Sequence, residues 1–205
     1  MVVSTDDEEI AQVARANGAE VPFMRPIEFA GDSSPDIDAF RHALQWLQDK
    51  EGYVPHVVVH LRPTGPVRRV ELIDQAIDLM LSHSEADSLR SVSVAQQSPY
   101  KMWRIEEGYL KPLLTIEGVT GSCSMPRQLL PRVYWQNGYV DVVRPSTVLE
   151  KGSMTGDIVL PFIITDPIFE LDSPDDIPEV EDALQRFEMG ESIGHTAQGT
   201  ERYPV

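Results

Sequence analysis

The sequence predicts an α/β fold, a doubly wound and mostly parallel sheet flanked by helices, on three observations. Apolar residues recur at helical spacing in three stretches: Ile10, Val13 and Ala14; Ile37, Phe40, Leu44 and Leu47; and Val70, Ile73, Ala76, Ile77 and Met80. A continuous apolar run from Val57 to Leu61, bounded by Pro55 and Pro63, has the composition of a strand buried on both faces of a parallel sheet. Leu89 to Val94 alternates like a second strand, so helix and strand take turns along the chain.

The elements follow in order. Val2-Val3-Ser4 reads as the tail of a strand. Thr5 and Glu8 have the capping-box spacing that starts a helix, and Asn17-Gly18 supplies the left-handed residue that ends it. A short edge strand over 19–23 closes at Arg25-Pro26, and a second helix enters near Asp36 and ends before Gly52. After the Val57 to Leu61 strand, Pro63-Thr64-Gly65-Pro66 must turn, at the carboxyl end where ligands sit in such sheets. Residues 96–131 break into short β-like pieces rich in Pro, Gly and aromatics, an inserted arm. Strand composition returns at Tyr139 to Val143 and at Ile158 to Ile164. A closing helix starts near Asp175, with Val180, Leu184 and Phe187 on one face. The expected organisation is one domain over 1–187 that carries the arm, then a flexible tail over 188–205.

Composition narrows the function. Among 205 residues, 41% are hydrophobic and 24% charged, which is ordinary for a folded globular chain. No apolar run approaches the ~20 residues of a membrane span. Met1 leads into acidic Asp6-Asp7-Glu8-Glu9 rather than a basic and then apolar leader, so the expected location is cytoplasmic, away from membranes. Cys123, the single cysteine, permits no internal disulfide and no multi-thiolate metal site. A formal net charge of -16 opposes nucleic acid. A small polyanionic substrate meets the same field and needs local arginines and a divalent cation.

The arginines are therefore the first candidates. Arg25 in Met-Arg-Pro, Arg62 in Leu-Arg-Pro-Thr-Gly-Pro and Arg68 just after it stand beside rigid turns that could fix a bidentate grip on phosphate or carboxylate. Any one alone reads equally well as a solvated surface residue; two flanking one turn favour function. Arg127-Gln128 is a fourth candidate. In Glu170-Leu171-Asp172 an extended segment would place both carboxylates on one face, able to share a Mg2+, although such triplets are more often solvated. Asp172 could instead cap the following helix, as could Ser173, with Pro174 in its first turn. No nucleophile elbow, phosphate-binding Walker loop, dinucleotide fingerprint or His-rich zinc motif occurs. His42, His56, His60, His83 and His195 are scattered and read as structural or exposed.

An ordered set of segments carries a resemblance. These are Val3-Ser4-Thr5-Asp6-Asp7-Glu8-Glu9-Ile10-Ala11, Gly18-Ala19-Glu20-Val21-Pro22-Phe23-Met24-Arg25-Pro26 and Leu61-Arg62-Pro63-Thr64-Gly65-Pro66-Val67-Arg68. Pro126-Arg127-Gln128, Gln136-Asn137-Gly138 and Glu170-Leu171-Asp172-Ser173-Pro174-Asp175-Asp176 complete it. Together they resemble the acylneuraminate cytidylyltransferases, or CMP-sialic acid synthetases, with the CMP-Kdo synthetases as more distant cousins. The resemblance implies a nucleotide-diphospho-sugar transferase-like Rossmann variant, dimeric through the 96–131 arm. It implies transfer of CMP from CTP to the anomeric hydroxyl of a nonulosonic acid, with Mg2+ and release of pyrophosphate. It sets Arg25 and Asp32 near the nucleotide, and Arg62 and Arg68 toward the sugar acid or phosphate, in catalytic positions with Asp172. Arg127, Gln128 and Asn137 would help hold the sugar acid, and Glu170 and Asp172 would take the metal-binding positions. Departures are a Glu where Asp is more usual, Arg62 for a Gln of some members, and no match to the family's first strand and phosphate loop, as expected of an N-terminally truncated chain. Such a chain could instead be a noncatalytic dimerisation or sugar-binding module. A glycosyltransferase of similar fold is a third reading, less well matched by the Arg62 to Pro66 turn.

Overall fold

The structure is a computed structural model that describes residues 1–190; all but the first three residues of the expected tail, and His195, lie outside the described residues. The chain divides into two compact units, one of residues 1–60, 70–89 and 140–160, the other of 61–69, 90–139 and 161 onward. Its helices are α1 (Glu8–Ala16), α2 (Asp36–Glu51), α3 (Val70–Ser82), α4 (Pro145–Leu149) and α5 (Ile177–Glu188). Its strands are β1 (Val58–His60), β2 (Ser88–Val94), β3 (Trp103–Glu106), β4 (Tyr109–Pro112), β5 (Tyr134–Val143) and β6 (Val159–Ile163). Among the described residues no helix is long and apolar enough to cross a membrane.

Four strands form one sheet in the order β1, β5, β2, β6. β1 pairs antiparallel with β5, Val58 opposite Val143 and His60 opposite Asp141. β5 also opposes β2: the N–H of Arg144 donates to Asp87 O at one end, and that of Ala95 to Val133 O at the other. β2 and β6 run the same way, since Ser88 N donates to Ile158 O and, farther along both, Ile164 N donates to Val92 O. The sheet is thus mixed, with β5 the reversed strand. The expectation of a strand buried on both faces at Val57 to Leu61 is corrected here. β1 is short and only half-buried, because in the described sheet it has β5 on one side and no strand on the other.

In the first unit, α1 begins two residues later than Thr5 would set it. The carboxylate of Asp7 accepts the N–H of Ile10 and caps the helix, while Thr5 Oγ1 accepts the N–H of Asp7 in the turn before it. Asn17 and Gly18, at φ +83°, close α1 as expected. The strand expected over 19–23 reduces to one parallel bridge between Val2 and Glu20. Phe23 goes instead into a ring cluster with His42 and Trp46 of α2. Leu44 of α2 packs with Val143 and Val148, and this apolar centre draws in Ile37, Phe40 and Val58.

Two polar anchors, one half-buried and one buried, fix the rest of this unit. Arg144, just after β5, reaches under the end of α3, its Nε donating to Ala86 O at 2.8 Å and its Nη2 to His83 O at 2.9 Å and Met80 O at 3.2 Å. Carbonyls at a helix end have no partner within the helix, so a guanidinium there satisfies several at once. Arg144→Met is expected to lower the unfolding free energy by about 2 to 3 kcal/mol, the cost of leaving such acceptors unpaired; denaturant melts check this.

The second anchor is Asp87, at the entrance to β2 and 9% exposed. Its Oδ2 accepts from Lys151 Nζ at 2.8 Å and from the N–H groups of Asp157 at 2.7 Å and Ile158 at 3.1 Å, tying the 151–158 loop to the sheet. A Cβ at Gly156, φ +68°, would collide with this side chain. The Lys151 hydrogen bond, then those two N–H groups, lower the carboxyl from 3.8 to about 2. The unfolded chain therefore binds the proton first. The anchor's contribution is complete above pH 3.8 and is lost as pH falls from there through about 2. Asp87→Asn is expected to lower the thermal midpoint at neutral pH and to flatten this acid limb; a full-strength limb in the variant would contradict the assignment.

In the second unit, β3 and β4 make a hairpin turned at Glu107 and Gly108, both at positive φ, the backbone that tight hairpins require. The arm is thus built of short β pieces, as expected. Ile105, Tyr109 and Leu110 on it are more than 60% exposed, so the hairpin offers an uncovered apolar surface. α5 buries Val180 and Ala183 against Val67, and Phe169, Leu184 and Phe187 pack around them. In the first unit, α4, absent from the sequence expectation, is a single short helix with Pro145 in its first turn.

Candidate functional site

Within the second unit three chain segments converge on one glycine. The first is the turn after β1, residues 61–69, folded back by the N–H of Gly65 to Arg62 O. The second is the first half of β5. The third is the segment 168–171 beyond β6, fastened to the turn where Leu171 N donates to Thr64 O at 2.7 Å. Between them lies a small pocket whose lining includes Arg62, Thr64, Arg68, Asn137, Gly138 and Glu170.

Gly138 shapes this pocket. It sits inside β5 at φ +63°, where an L side chain is strained. A Cβ there would stand 3.4 Å from Arg62 Nη1 and 3.8 Å from Glu170 Oε1. A guanidinium and a carboxylate therefore border the gap that the missing side chain leaves.

Arg68 and Asn137 hold this backbone in place. Arg68 donates from Nε to Tyr139 O at 2.7 Å, and from Nη2 to Arg62 O at 2.7 Å and Gly138 O at 3.5 Å, so it clamps the turn onto β5. Asn137 is 1% exposed. Its Oδ1 accepts the N–H of Tyr139, and its Nδ2 donates to Ser93 Oγ, which in turn donates to Ile164 O. Buried amides need such partners. These contacts hold the strand on the far side of Gly138, whose φ of +63° they help to fix. Tyr139 completes the frame, its hydroxyl accepting the N–H of Arg69 while Arg69 pairs with Asp166 at 3.0 Å. Burial raises the tyrosine hydroxyl above its ordinary 10.0, and the Asp166 charge adds to this, so it stays protonated at neutral pH.

Of the residues singled out in the sequence, the structure brings Arg62, Arg68, Asn137 and Glu170 together at this pocket. Asp172 lies just beyond, exposed. Ser173 takes the capping role in a reciprocal box with Asp176, so the Asp172 carboxylate is left out of the cap. Arg127 and Gln128 are exposed in a short 3-10 turn and do not line the pocket; Arg127 donates to Gln96 O and Gln97 Oε1, both at 3.4 Å. Arg25 and Asp32 belong to the first unit. Arg25 Nη2 faces Asp6 at 3.4 Å while its buried Nε has no hydrogen-bond partner, and Asp32 is exposed ahead of α2. Sequence reasoning passed over Gly138 itself, although Asn-Gly is a strong signal for positive φ. Ser93 and Tyr139 carried no such signal.

Glu170 and Asp172 offer hard oxygen donors to a divalent cation. Among the described residues no cluster of three or more His, Cys, Asp or Glu could enclose a metal. Two exposed carboxylates suit Mg2+ all the same, which is commonly bound by one or two of them and completed by water and phosphate oxygens.

Comparison with known proteins adds the following. No family model matches the chain. It is 26% identical over 183 residues to the post-translational flagellin modification protein B of Campylobacter coli, an alignment spanning 88% of this chain and 75% of that one. It is 37% identical over 79 residues to the CMP-N,N'-diacetyllegionaminic acid synthase of Legionella pneumophila, spanning 38% of this chain and 34% of that protein. A pseudaminic acid cytidylyltransferase of Campylobacter jejuni is 31% identical over 83 residues, 40% of this chain and 35% of that one. The last two matches thus span about a third of those relatives. Among solved structures, a CMP:2-keto-3-deoxy-manno-octonic acid synthetase complexed with CTP superposes with a TM-score of 0.61 over 91% of this chain and 80% of that one. At 12% identity that likeness speaks to the fold alone.

Proposed function

We propose that the chain is a CMP-nonulosonate synthetase, of the acylneuraminate cytidylyltransferase family that its relatives and its sequence motifs resemble, and that it transfers CMP from CTP to the anomeric hydroxyl of a nonulosonic acid. The anomeric oxygen attacks the α-phosphorus, the bond to the bridging oxygen breaks, pyrophosphate leaves and the hydroxyl proton is released. The observation that carries this reading is the pairing of Arg62 with a side-chain-free gap at Gly138, in a pocket shared with Glu170. A planar guanidinium beside exposed backbone suits a sugar carboxylate, which takes two parallel N–H groups. Arg68, Asn137 and Tyr139 align that guanidinium, and alignment is most of what phosphoryl-type transfer asks of a protein. Arg25 and Asp32 would contact the nucleotide, and Arg127 and Gln128 the sugar acid or a second copy of the chain across the apolar arm, as the resemblance implies.

Glu170 and Asp172 would hold Mg2+. Bound there, it would neutralise charge gathering on the departing pyrophosphate. Since CTP is a cytosolic nucleotide, the proposed reaction is cytoplasmic. The test is pyrophosphate release from CTP and Mg2+ with pseudaminic acid or N,N'-diacetyllegionaminic acid, using the full-length natural protein. Release that requires both CTP and one of these acids is expected; binding of the acid with no CTP turnover would point to a sugar-binding module instead.

A further inference from the structure

We propose that Asn137 is a latent self-modification site, which deamidates when the frame around Gly138 opens and thereby disables the pocket. Asn17 and Asn137 are the only asparagines in the chain, and each is followed by glycine. Glycine has no side chain to shield its nitrogen or restrict its backbone, so in an Asn-Gly pair that nitrogen most readily attacks the preceding side-chain amide. The step balances with water alone. Solvent base takes the proton of the Gly138 N–H and the nitrogen bonds to Cγ of Asn137. The bond from Cγ to Nδ2 breaks, and Nδ2 takes up a proton from solvent and leaves as ammonia. Water then opens the cyclic imide at either carbonyl, giving aspartate or isoaspartate at position 137.

The two sites differ in what holds them. Asn17 is exposed at the end of α1, and its Nδ2 donates to Val13 O one turn back. Asn137 lies inside β5 and is 1% exposed, its Oδ1 accepting the N–H of Tyr139 at 3.1 Å and its Nδ2 donating to Ser93 Oγ at 2.8 Å. Extended backbone points the next nitrogen away from the side-chain amide, and both ends of that amide are tethered, so attack requires local opening. Conversion to aspartate replaces the Nδ2 donor with an acceptor. Ser93 then has one hydroxyl hydrogen for two acceptors, the new carboxylate and Ile164 O, which it serves at 3.0 Å. A negative charge is also buried beside a pocket proposed to take an anion. Isoaspartate instead lengthens the main chain of β5 next to Gly138, displacing the carbonyls of Gly138 and Tyr139 that Arg68 holds. Loss of the pocket rests on the proposed function; the chemistry at Asn137 does not.

The experiment incubates the full chain at mildly alkaline pH, native and in urea, and follows both Asn-Gly peptides by mass spectrometry. In the native protein Asn137 is expected to convert about 10²-fold more slowly than Asn17, and in urea at a similar rate. Ser93→Ala, which removes the Nδ2 acceptor, should speed native conversion of Asn137 about tenfold and leave Asn17 unchanged, whereas Ser93→Thr, which keeps a hydroxyl, should restore protection. Asn137→Asp should lower the thermal midpoint and lose calorimetric binding of pseudaminic and N,N'-diacetyllegionaminic acids. Wild-type protein converted at position 137 and separated by ion exchange makes the same comparison without a variant that must fold afresh. Equal native rates at the two asparagines, or a Ser93→Ala rate no faster than wild type, would overturn the inference. So would undiminished acid binding by the converted protein. Acid binding by neither form would overturn the proposed function instead, with the latent site still decided by the two peptide rates.

Discussion

Arg62→Ala is expected to lower kcat/KM for the sugar acid by about 10²-fold while leaving the thermal midpoint close to that of the wild type. The magnitude follows from removing one partner of a hydrogen-bonded ion pair in a partly desolvated pocket, which costs about 3 kcal/mol. The loss should fall on the sugar acid: the KM for CTP should move little, because Arg62 faces the gap at Gly138 and Glu170. Arg62→Lys should recover only a small part, since an ammonium keeps the charge but loses the planar fork. Steady-state kinetics with each substrate varied in turn decide this. An equal rise in both KM values would mean general collapse of the pocket rather than loss of a ligand.

Arg68→Met should behave in the opposite way. Its guanidinium joins Arg62 O, Gly138 O and Tyr139 O, so removing it strands acceptors from two segments at once and unclamps the turn from β5. The expected cost is about 2 to 4 kcal/mol of stability, with activity falling because Arg62 is no longer aimed. Arg68→Lys should rescue little, as one ammonium on a flexible stem cannot meet carbonyls lying on two sides. Chemical denaturation and kinetics together separate the roles of the two arginines. If Arg68→Met kept wild-type stability but lost sugar-acid affinity, Arg68 would be the anion ligand and the division proposed here would be reversed.

The sequence carried most of the fold in its periodicities. α2 and α3 lie where the stripes of Phe40 and Leu44, and of Ile73 and Ala76, set them, and Gly18 and Gly52 end their helices at positive φ. What it could not carry was partnership across the sheet. The apolar run at Val57 reads as doubly buried, yet β1 is half-buried with β5 its one neighbour in the described sheet, because burial depends on strands distant in sequence. The Thr5 and Glu8 spacing misled for a local reason: Asp7 is the better-placed acceptor and takes the cap.

The site was half legible. Arginines next to prolines stood out, as did the acidic triplet, because those residue types have few reasons to cluster at turns. Their division of labour was hidden. Arg62 and Arg68 look alike in the sequence, and only the carbonyls reached by Arg68, contributed by residues some seventy positions away, set it apart as a clamp. Asn137 likewise looked like a ligand and proves to be buried, its amide holding Tyr139 N and Ser93 Oγ.

A crystal structure of the protein with an accepted nonulosonic acid bound is the most direct measurement. The expected result is the acid's carboxylate over Gly138, within hydrogen-bond distance of Arg62, with Arg68 still on its three carbonyls. A carboxylate seated on Arg68, or an acid bound away from the Gly138 gap, would contradict the assignment.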